Sequence, residues 1–285
     1  MIGVTCASGQ LGQLVIGLLK ETLPASGIVA LMRSPEKAEE LDLGVEVRPF
    51  DYNEPDQIEA GLEGLDALLL ISGSEVGLRE IQHRNVILAA MGHKLGRIVY
   101  TSLLHADTSP LKLAQEHLAT ELMLAESGIP CTILRNGWYA ENYIDTARSA
   151  LEAGALYGAA GEGRISAASR RDYAEAAAAV LTGTGHEGKT YELSGGPAFS
   201  LGDLAGAISE ISGTAIPYRD MEEAAYAQAL AEAGLKAPWP DFLARMDRQI
   251  SEGALYDEGQ DLPRLIGRAP ATIRDVLAAS LRPAA

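Results

Sequence analysis

An α/β fold is predicted for this 285-residue chain, with a doubly wound parallel sheet followed by a smaller helix-rich C-terminal lobe. Three observations predict it. Short apolar runs alternate with helical patterns through the first half of the chain. A glycine-bearing turn follows the first run and opens a helix. The alternation then stops near residue 150, and helical patterns take over.

The apolar runs are Ile2–Thr5, Ile28–Met32, Val45–Pro49, Ala67–Ile71, Arg97–Thr101 and Cys131–Leu134. Each is short and nearly continuous, as strands buried on both faces are. Between them lie helical patterns. Gln10–Lys20 puts Leu11, Leu14, Val15, Leu18 and Leu19 on one face. Pro35–Leu43, Pro55–Leu62, Gln82–Met91 and Leu111–Ser127 follow. Strand and helix at this spacing make βαβ units, whose crossovers are right-handed. Residues 1–150 are therefore expected to form a Rossmann-like core. Residues 151–285 read as a mostly helical lobe capping the substrate. Its helices are expected at Arg171–Leu181, Leu201–Ser212, Glu222–Ala233, Phe242–Ser251 and Ala271–Leu281, with Thr190–Leu193 a strand returning to the core.

Composition narrows the function. Lys and Arg number 23 against 39 Asp and Glu, a net charge of −16 spread along the chain. No basic block exists to track nucleic acid or an anionic membrane surface. Cys6 and Cys131 are the only cysteines, too few for a disulfide framework or a Cys-rich zinc site. No metal site is expected. No apolar run reaches a membrane span, and the N-terminal segment lacks a signal-peptide pattern. The expected setting is the reducing cytoplasm.

The turn after the first run reads Thr5-Cys6-Ala7-Ser8-Gly9-Gln10-Leu11-Gly12. A dinucleotide loop needs glycine for its tight turn, for backbone approach to the pyrophosphate, and for close helix–strand packing. Gly9 and Gly12 suit the second and third roles; Cys6 stands where the first glycine is expected. The second run ends at Arg33, with Lys37 one helical turn on. NAD binders place a carboxylate near here for the ribose, whereas a guanidinium suits a 2′-phosphate, so NADP is favoured. Asp51 and Tyr52 follow the third run, where an adenine ring would lie; Asp51 could equally cap the next helix. Ser72-Gly73-Ser74 follows the fourth run, small enough for close backbone approach.

Several segments occur in the order found in one family. They are Thr5–Gly12, Arg33-Ser34-Pro35-Glu36-Lys37, Ile71–Gly77, Tyr100-Thr101-Ser102-Leu103-Leu104-His105-Ala106-Asp107 and Leu134-Arg135-Asn136-Gly137-Trp138-Tyr139. Together they resemble the NmrA-like branch of the atypical short-chain dehydrogenases. Within it the chain is most similar to the bacterial NADPH:quinone oxidoreductases of the type 2 kind, with triphenylmethane reductases as near relatives. The resemblance implies NADPH binding without a flavin and hydride transfer to a small-molecule quinone; a homodimer is a further expectation. By position it implies that Cys6, Ala7, Ser8, Gly9, Gln10 and Leu11 form the phosphate loop and that Arg33 faces the 2′-phosphate. Ser72, Gly73, Ser74 and Thr101 would border the cofactor. Asn136, Gly137, Trp138, Tyr139, Ala140 and Glu141 would border the nicotinamide and the substrate opening. Cys6 departs from the family's glycine. It either crowds the loop or sits in a conformation that an L-residue tolerates.

None of the ten tyrosines has Lys four residues later, so the usual short-chain dehydrogenase acid pair is absent. Simple carbonyl reduction would miss it. Quinone reduction depends on it less, because the product is a stabilised hydroquinone anion and proximity supplies much of the rate. His117 and Tyr139 are the leading catalytic candidates, with His105 and Tyr143 as further donors. His117 could equally be a surface histidine on its helix. Trp138 and Tyr139 could stack on a quinone ring or pack the lobe interface. No Gly-x-Ser-x-Gly elbow accompanies Ser102 and His105, which argues against a hydrolase. Two alternatives remain: a dinucleotide-binding redox sensor without turnover, and a reductase of another conjugated substrate such as a triphenylmethane dye.

Overall fold

A computed structural model describes residues 1–281. The first half alternates strand and helix as expected. The elements are β1 (Ile2–Val4), α1 (Gln10–Thr22), β2 (Ile28–Met32), α2 (Ala38–Leu41), β3 (Glu46–Pro49), α3 (Pro55–Leu62), β4 (Ala67–Leu70), α4 (Arg79–Gly92), β5 (Arg97–Leu103), α5 (Lys112–Glu126) and β6 (Cys131–Asn136). Then come α6 (Tyr143–Ala153), β7 (Leu156–Gly158), α7 (Arg170–Thr182), β8 (Thr190–Leu193), α8 (Leu201–Ser212) and β9 (Tyr218–Asp220). The chain closes with α9 (Glu223–Glu232), α10 (Trp239–Ser251), α11 (Asp261–Ile266) and α12 (Ile273–Leu281).

Seven parallel strands form one sheet in the order β3-β2-β1-β4-β5-β6-β8. The order reverses between β1 and β4, which opens a crevice at the carboxyl ends of the strands. Every residue of β2 and β4 is buried, as the unbroken apolar runs predicted. One face of the sheet packs Val15, Ile16 and Leu19 of α1 with Tyr173, Ala176, Ala177 and Val180 of α7. The small alanines let those two helices lie close together. The other face packs Ile58, Val86 and Leu124 from α3, α4 and α5 against Leu68, Ile98 and Tyr100.

Residues beyond 150 are less separate than the sequence suggested. The expected boundary falls inside α6. α7 lies on the sheet, and β8 extends it beside β6. α7 begins in a capping box, Ser169 with Asp172, as α8 does with Ser200 and Asp203. The remaining helices bury their own core around Ile165, Leu204, Ile250 and Leu277. A small parallel pair, β7 with β9, and the helices α6 and α11 were not anticipated. Three-residue strands are too short to show a period. The predicted helix Pro35–Leu43 shrinks to a 3₁₀ turn, Pro35–Lys37, and the four residues of α2. The left-handed Asp42, at φ 44°, ends it.

Candidate functional site

The turn from β1 to α1 lies at the crevice. Cys6 takes φ 49°, the left-handed region that glycine usually fills. The Gly9 N–H closes the turn on the Cys6 carbonyl at 2.9 Å. A Cβ on Gly12 would stand 2.6 Å from that carbonyl oxygen and 2.9 Å from Ala7 Cα. Gly12 thus makes the close helix–loop approach its spacing predicted. Ala7 and Leu11 turn their side chains into the core, so only their backbone can face a ligand. α1 has no side-chain cap and no acidic residue in its first turn. Its leading N–H groups are open to an anion, which the helix dipole favours.

A cavity of about 280 Å³ lies beside this turn. Its lining brings together Cys6, Ser8, Gly9, Arg33, Asp51, Gly73 and Ser74, all expected from sequence. Phe50, Tyr52, Glu75 and Gln82 join them; of these, the sequence had offered only Tyr52. Arg33 Nη1 lies 2.7 Å from Glu75 Oε1, and Gln82 Nε2 donates to the other Glu75 oxygen at 2.8 Å. The pairing raises the Arg33 pKa and lowers that of Glu75. Lys37 is exposed and outside this lining. Asp51 accepts from Asn53 N–H at 2.9 Å and does not cap α3, whose N-cap is Glu54. The buried Tyr52 hydroxyl lies 2.6 Å from Thr5 Oγ1 and 2.7 Å from the Ile71 carbonyl. The Cys6 sulfur sits 3.5 Å from that hydroxyl, and burial pushes its thiol pKa up.

The loop after β4 is held from behind. The buried Arg79 guanidinium donates to the Gly73 carbonyl at 2.9 and 2.7 Å and to Glu116 at 2.5 Å. His83 Nε2 accepts from Gly73 N–H at 3.2 Å, while Nδ1 faces Thr120 Oγ1 at 2.9 Å. Burial and Arg79 push the His83 pKa down to about 3, so the ring is neutral and can accept. Thr101 Oγ1 accepts from Ser72 N–H at 2.9 Å. Thr101, expected to border the cofactor, is instead buried beneath the loop that it steadies. Arg79 and His83 escaped sequence reading because nothing marks a charged helix residue as turned inward.

At the other end of the crevice, β6 delivers Asn136, Gly137 and Trp138. Asn136 is buried, and its Oδ1 has no hydrogen-bond partner. A Cβ on Gly137 would meet the Tyr173 hydroxyl at 2.9 Å. Gln10, Trp138, Glu141, Tyr143 and Asp247 belong to the lining of a cavity of about 790 Å³. A second cavity of about 600 Å³ shares Trp138 and Met246 and adds Leu111, Lys112 and Phe242. Ala140 is fully buried. The Glu141 carboxylate accepts the Arg170 N–H at 2.9 Å.

Three donor candidates change standing. His117 is no surface histidine: it is 4% exposed, its Nδ1 lies 2.8 Å from the Tyr100 hydroxyl, and burial pushes its pKa down to about 3. It borders neither cavity. Tyr139 packs edge-on against Tyr173 at 5.4 Å and carries the Arg170 guanidinium 4.5 Å above its ring, so it does not wall either cavity. His105 turns to the C-terminal segment, with Nε2 3.2 Å from Asp257 Oδ1. Of the four, Tyr143 lines the larger of these two cavities, and the others border neither. The crevice as a whole fits a dinucleotide. It offers open backbone N–H groups at the phosphate loop, a cation at one end and a buried amide oxygen without a partner at the other.

Comparison with known proteins agrees. An NAD(P)H-binding family matches residues 6–184, and the chain belongs to it. The chain is 50% identical to quinone oxidoreductase 2 of Escherichia coli over 276 residues, 96% of each chain. The crystal structure of the NADPH-dependent E. coli quinone oxidoreductase complexed with NADPH superposes with a TM-score of 0.95 at 49% identity, covering 99% of this chain and 100% of that one. The Citrobacter sp. triphenylmethane reductase complexed with NADP(H) gives 0.94 at 37% identity, covering 98% and 100%.

Proposed function

We propose that this member of the NAD(P)H-binding family is an NADPH:quinone oxidoreductase that needs neither flavin nor metal. The observation that carries this reading is the 50% identity to E. coli quinone oxidoreductase 2 across nearly the whole of both chains. The chain's own residues support it. The open N–H groups at the start of α1 would hold the pyrophosphate, and Arg33 would exchange Glu75 for the 2′-phosphate. The unpaired Asn136 Oδ1 would accept from the nicotinamide carboxamide. Bound NADPH supplies the hydride. Trp138 would wall the acceptor, and no Tyr-Lys pair is present to polarise an ordinary ketone.

The cytoplasm is the compartment that we propose, supported by two free cysteines. Among the described residues no helix is long and apolar enough to cross a membrane. The test is NADPH oxidation by the purified protein with a panel of quinones, similar-sized ketones and a triphenylmethane dye. Quinones should turn over and ketones should not. Tight NADPH binding without turnover of any acceptor would replace the enzyme by a redox sensor.

A further inference from the structure

We propose that Asp247 is the proton donor of this reduction and that Tyr143 holds the acceptor's oxygen beside it. The inference rests on the quinone-reductase reading above and assigns the acid which that reading lacks.

Tyr143 opens α6, and its ring is fixed edge-on against Phe199 at 5.4 Å. Its hydroxyl is buried without a hydrogen-bond partner, although the residue borders the 790 Å³ cavity. A buried hydroxyl normally finds a partner, so one left unpaired on a residue that borders a cavity marks where a ligand's polar atom would belong. Asp247 reaches the same cavity from α10. One carboxyl oxygen, Oδ2, accepts the Ala159 N–H at 2.8 Å, which fixes the group's orientation. Room for it is kept by Gly158, where a Cβ would stand 2.9 Å from Oδ2. Trp138 lines the cavity as well, giving a flat wall for a ring.

The charge environment suits an acid. The titratable groups around Asp247 are Tyr143 on α6, Tyr218 and Asp220 on β9, and Tyr226 on α9. None is a cation. Burial, with Asp220 adding to it and the Ala159 N–H opposing, pushes the Asp247 pKa up to about 6. A carboxyl whose pKa is raised to about 6 is protonated below that pH and keeps a protonated fraction near neutral pH that it can give up.

The step balances. The hydride supplied by NADPH adds to one end of the quinone with its two electrons and leaves the hydroquinone monoanion. Its oxygen at Tyr143 takes the Asp247 proton as the carboxyl O–H bond breaks and a phenolic O–H bond forms. The carboxylate then regains a proton from water entering the open cavity. The products are the hydroquinone and NADP⁺.

Two variants test this. Asp247→Asn keeps the shape and should lower kcat with quinones about 100-fold or more, with NADPH affinity unchanged. In the parent the rate should fall as pH rises through about 6, because the acid must be protonated to donate; in the variant the profile should be flat there. Tyr143→Phe should weaken quinone binding roughly 2- to 10-fold. That binding is read by tryptophan fluorescence in the NADP⁺-loaded protein, where nothing turns over. Melting of Tyr143→Phe should be unchanged or higher, since the lost hydroxyl had no partner. If the parent reduces quinones and both variants match it in rate, pH profile and binding, the assignment is overturned and the quinone reading survives. If the parent neither reduces nor binds quinones, both fall.

Discussion

At the adenosine end of the crevice, Cys6, Arg33, Asp51 and Gly73 come from the ends of four strands and meet because the sheet order brings those ends together. At the acceptor end, Tyr143 and Asp247 come from helices distant in sequence and meet only once α10 has packed across the lobe. The first end is nearly satisfied in itself. Arg33 is paired, Tyr52 has its partners, and the loop is braced by Arg79 and His83. The second leaves polar groups open: an unpaired amide oxygen, an unpaired phenol and a carboxyl short of hydration. A binding end can be built from complete local rules. A reacting end keeps groups that the fold alone would rather satisfy, and it is less stable for doing so.

The largest effect that would sharpen this contrast is at Arg33. Arg33→Ala removes the single cation, among the described residues, of the lining proposed for the adenosine. A hydrogen bond to a charged group is worth roughly 1.5–3 kcal/mol, so NADPH affinity should fall about 10- to 100-fold. NADH affinity should hardly change, as titration calorimetry would show. Equal losses for both cofactors would mean that Arg33 supports the groove's structure and not the 2′-phosphate. The contrast would then lose its clearest case.

The same contrast explains what the sequence revealed. The sheet core was readable because its strands are continuous apolar runs and its loop glycines follow a spacing with a steric cause, as Gly12 shows. Arg33 was readable because it replaces an acid at a fixed offset. Asp247 was not. It is one acid among 39 Asp and Glu residues, and its burial depends on packing between distant helices. His117 misled for the same reason, since a histidine on a helix carries no sign of which face turns inward. Arg135 is likewise an unremarked strand residue until the fold gives it Glu121, Glu192 and Asp107.

A second expectation asks whether the acceptor end does weaken the fold. The folded pKa of Asp247, about 6, lies above its ordinary 3.8. Its contribution is therefore fully present below pH 3.8 and is lost as pH rises through about 6. The shift is about two units at about 1.4 kcal/mol each, so Asp247→Asn should stabilise the protein by up to about 3 kcal/mol at pH 8. At pH 4 the effect should nearly vanish. Thermal melts at both pH values decide it. Destabilisation at pH 8 would show that the carboxylate is held by contacts stronger than its burial, and the acceptor end would be as satisfied as the other.

The smallest expectation concerns Cys6, where the adenosine end breaks its own rule. An L-residue in the left-handed region costs roughly 1–2 kcal/mol, and Cys6→Gly would relieve that. Glycine's freedom in the unfolded chain takes back about 0.5–1 kcal/mol. Losing the partly buried thiol beside Tyr52 takes back about as much again, near 0.8 kcal/mol for a group of that size. The terms nearly cancel, so Cys6→Gly should melt within about 2–4 °C of the parent, a shift worth under 1 kcal/mol. Cys6→Ala separates them, because it loses the thiol and keeps the backbone strain. It should be the least stable of the three. NADPH affinity should stay within about twofold in both variants, since the sulfur faces the Tyr52 hydroxyl and the Ile71 carbonyl and not the open N–H groups of α1. A marked tightening in Cys6→Gly would instead mean that the thiol crowds the phosphate loop, and that the adenosine end, too, gives up fit at one residue.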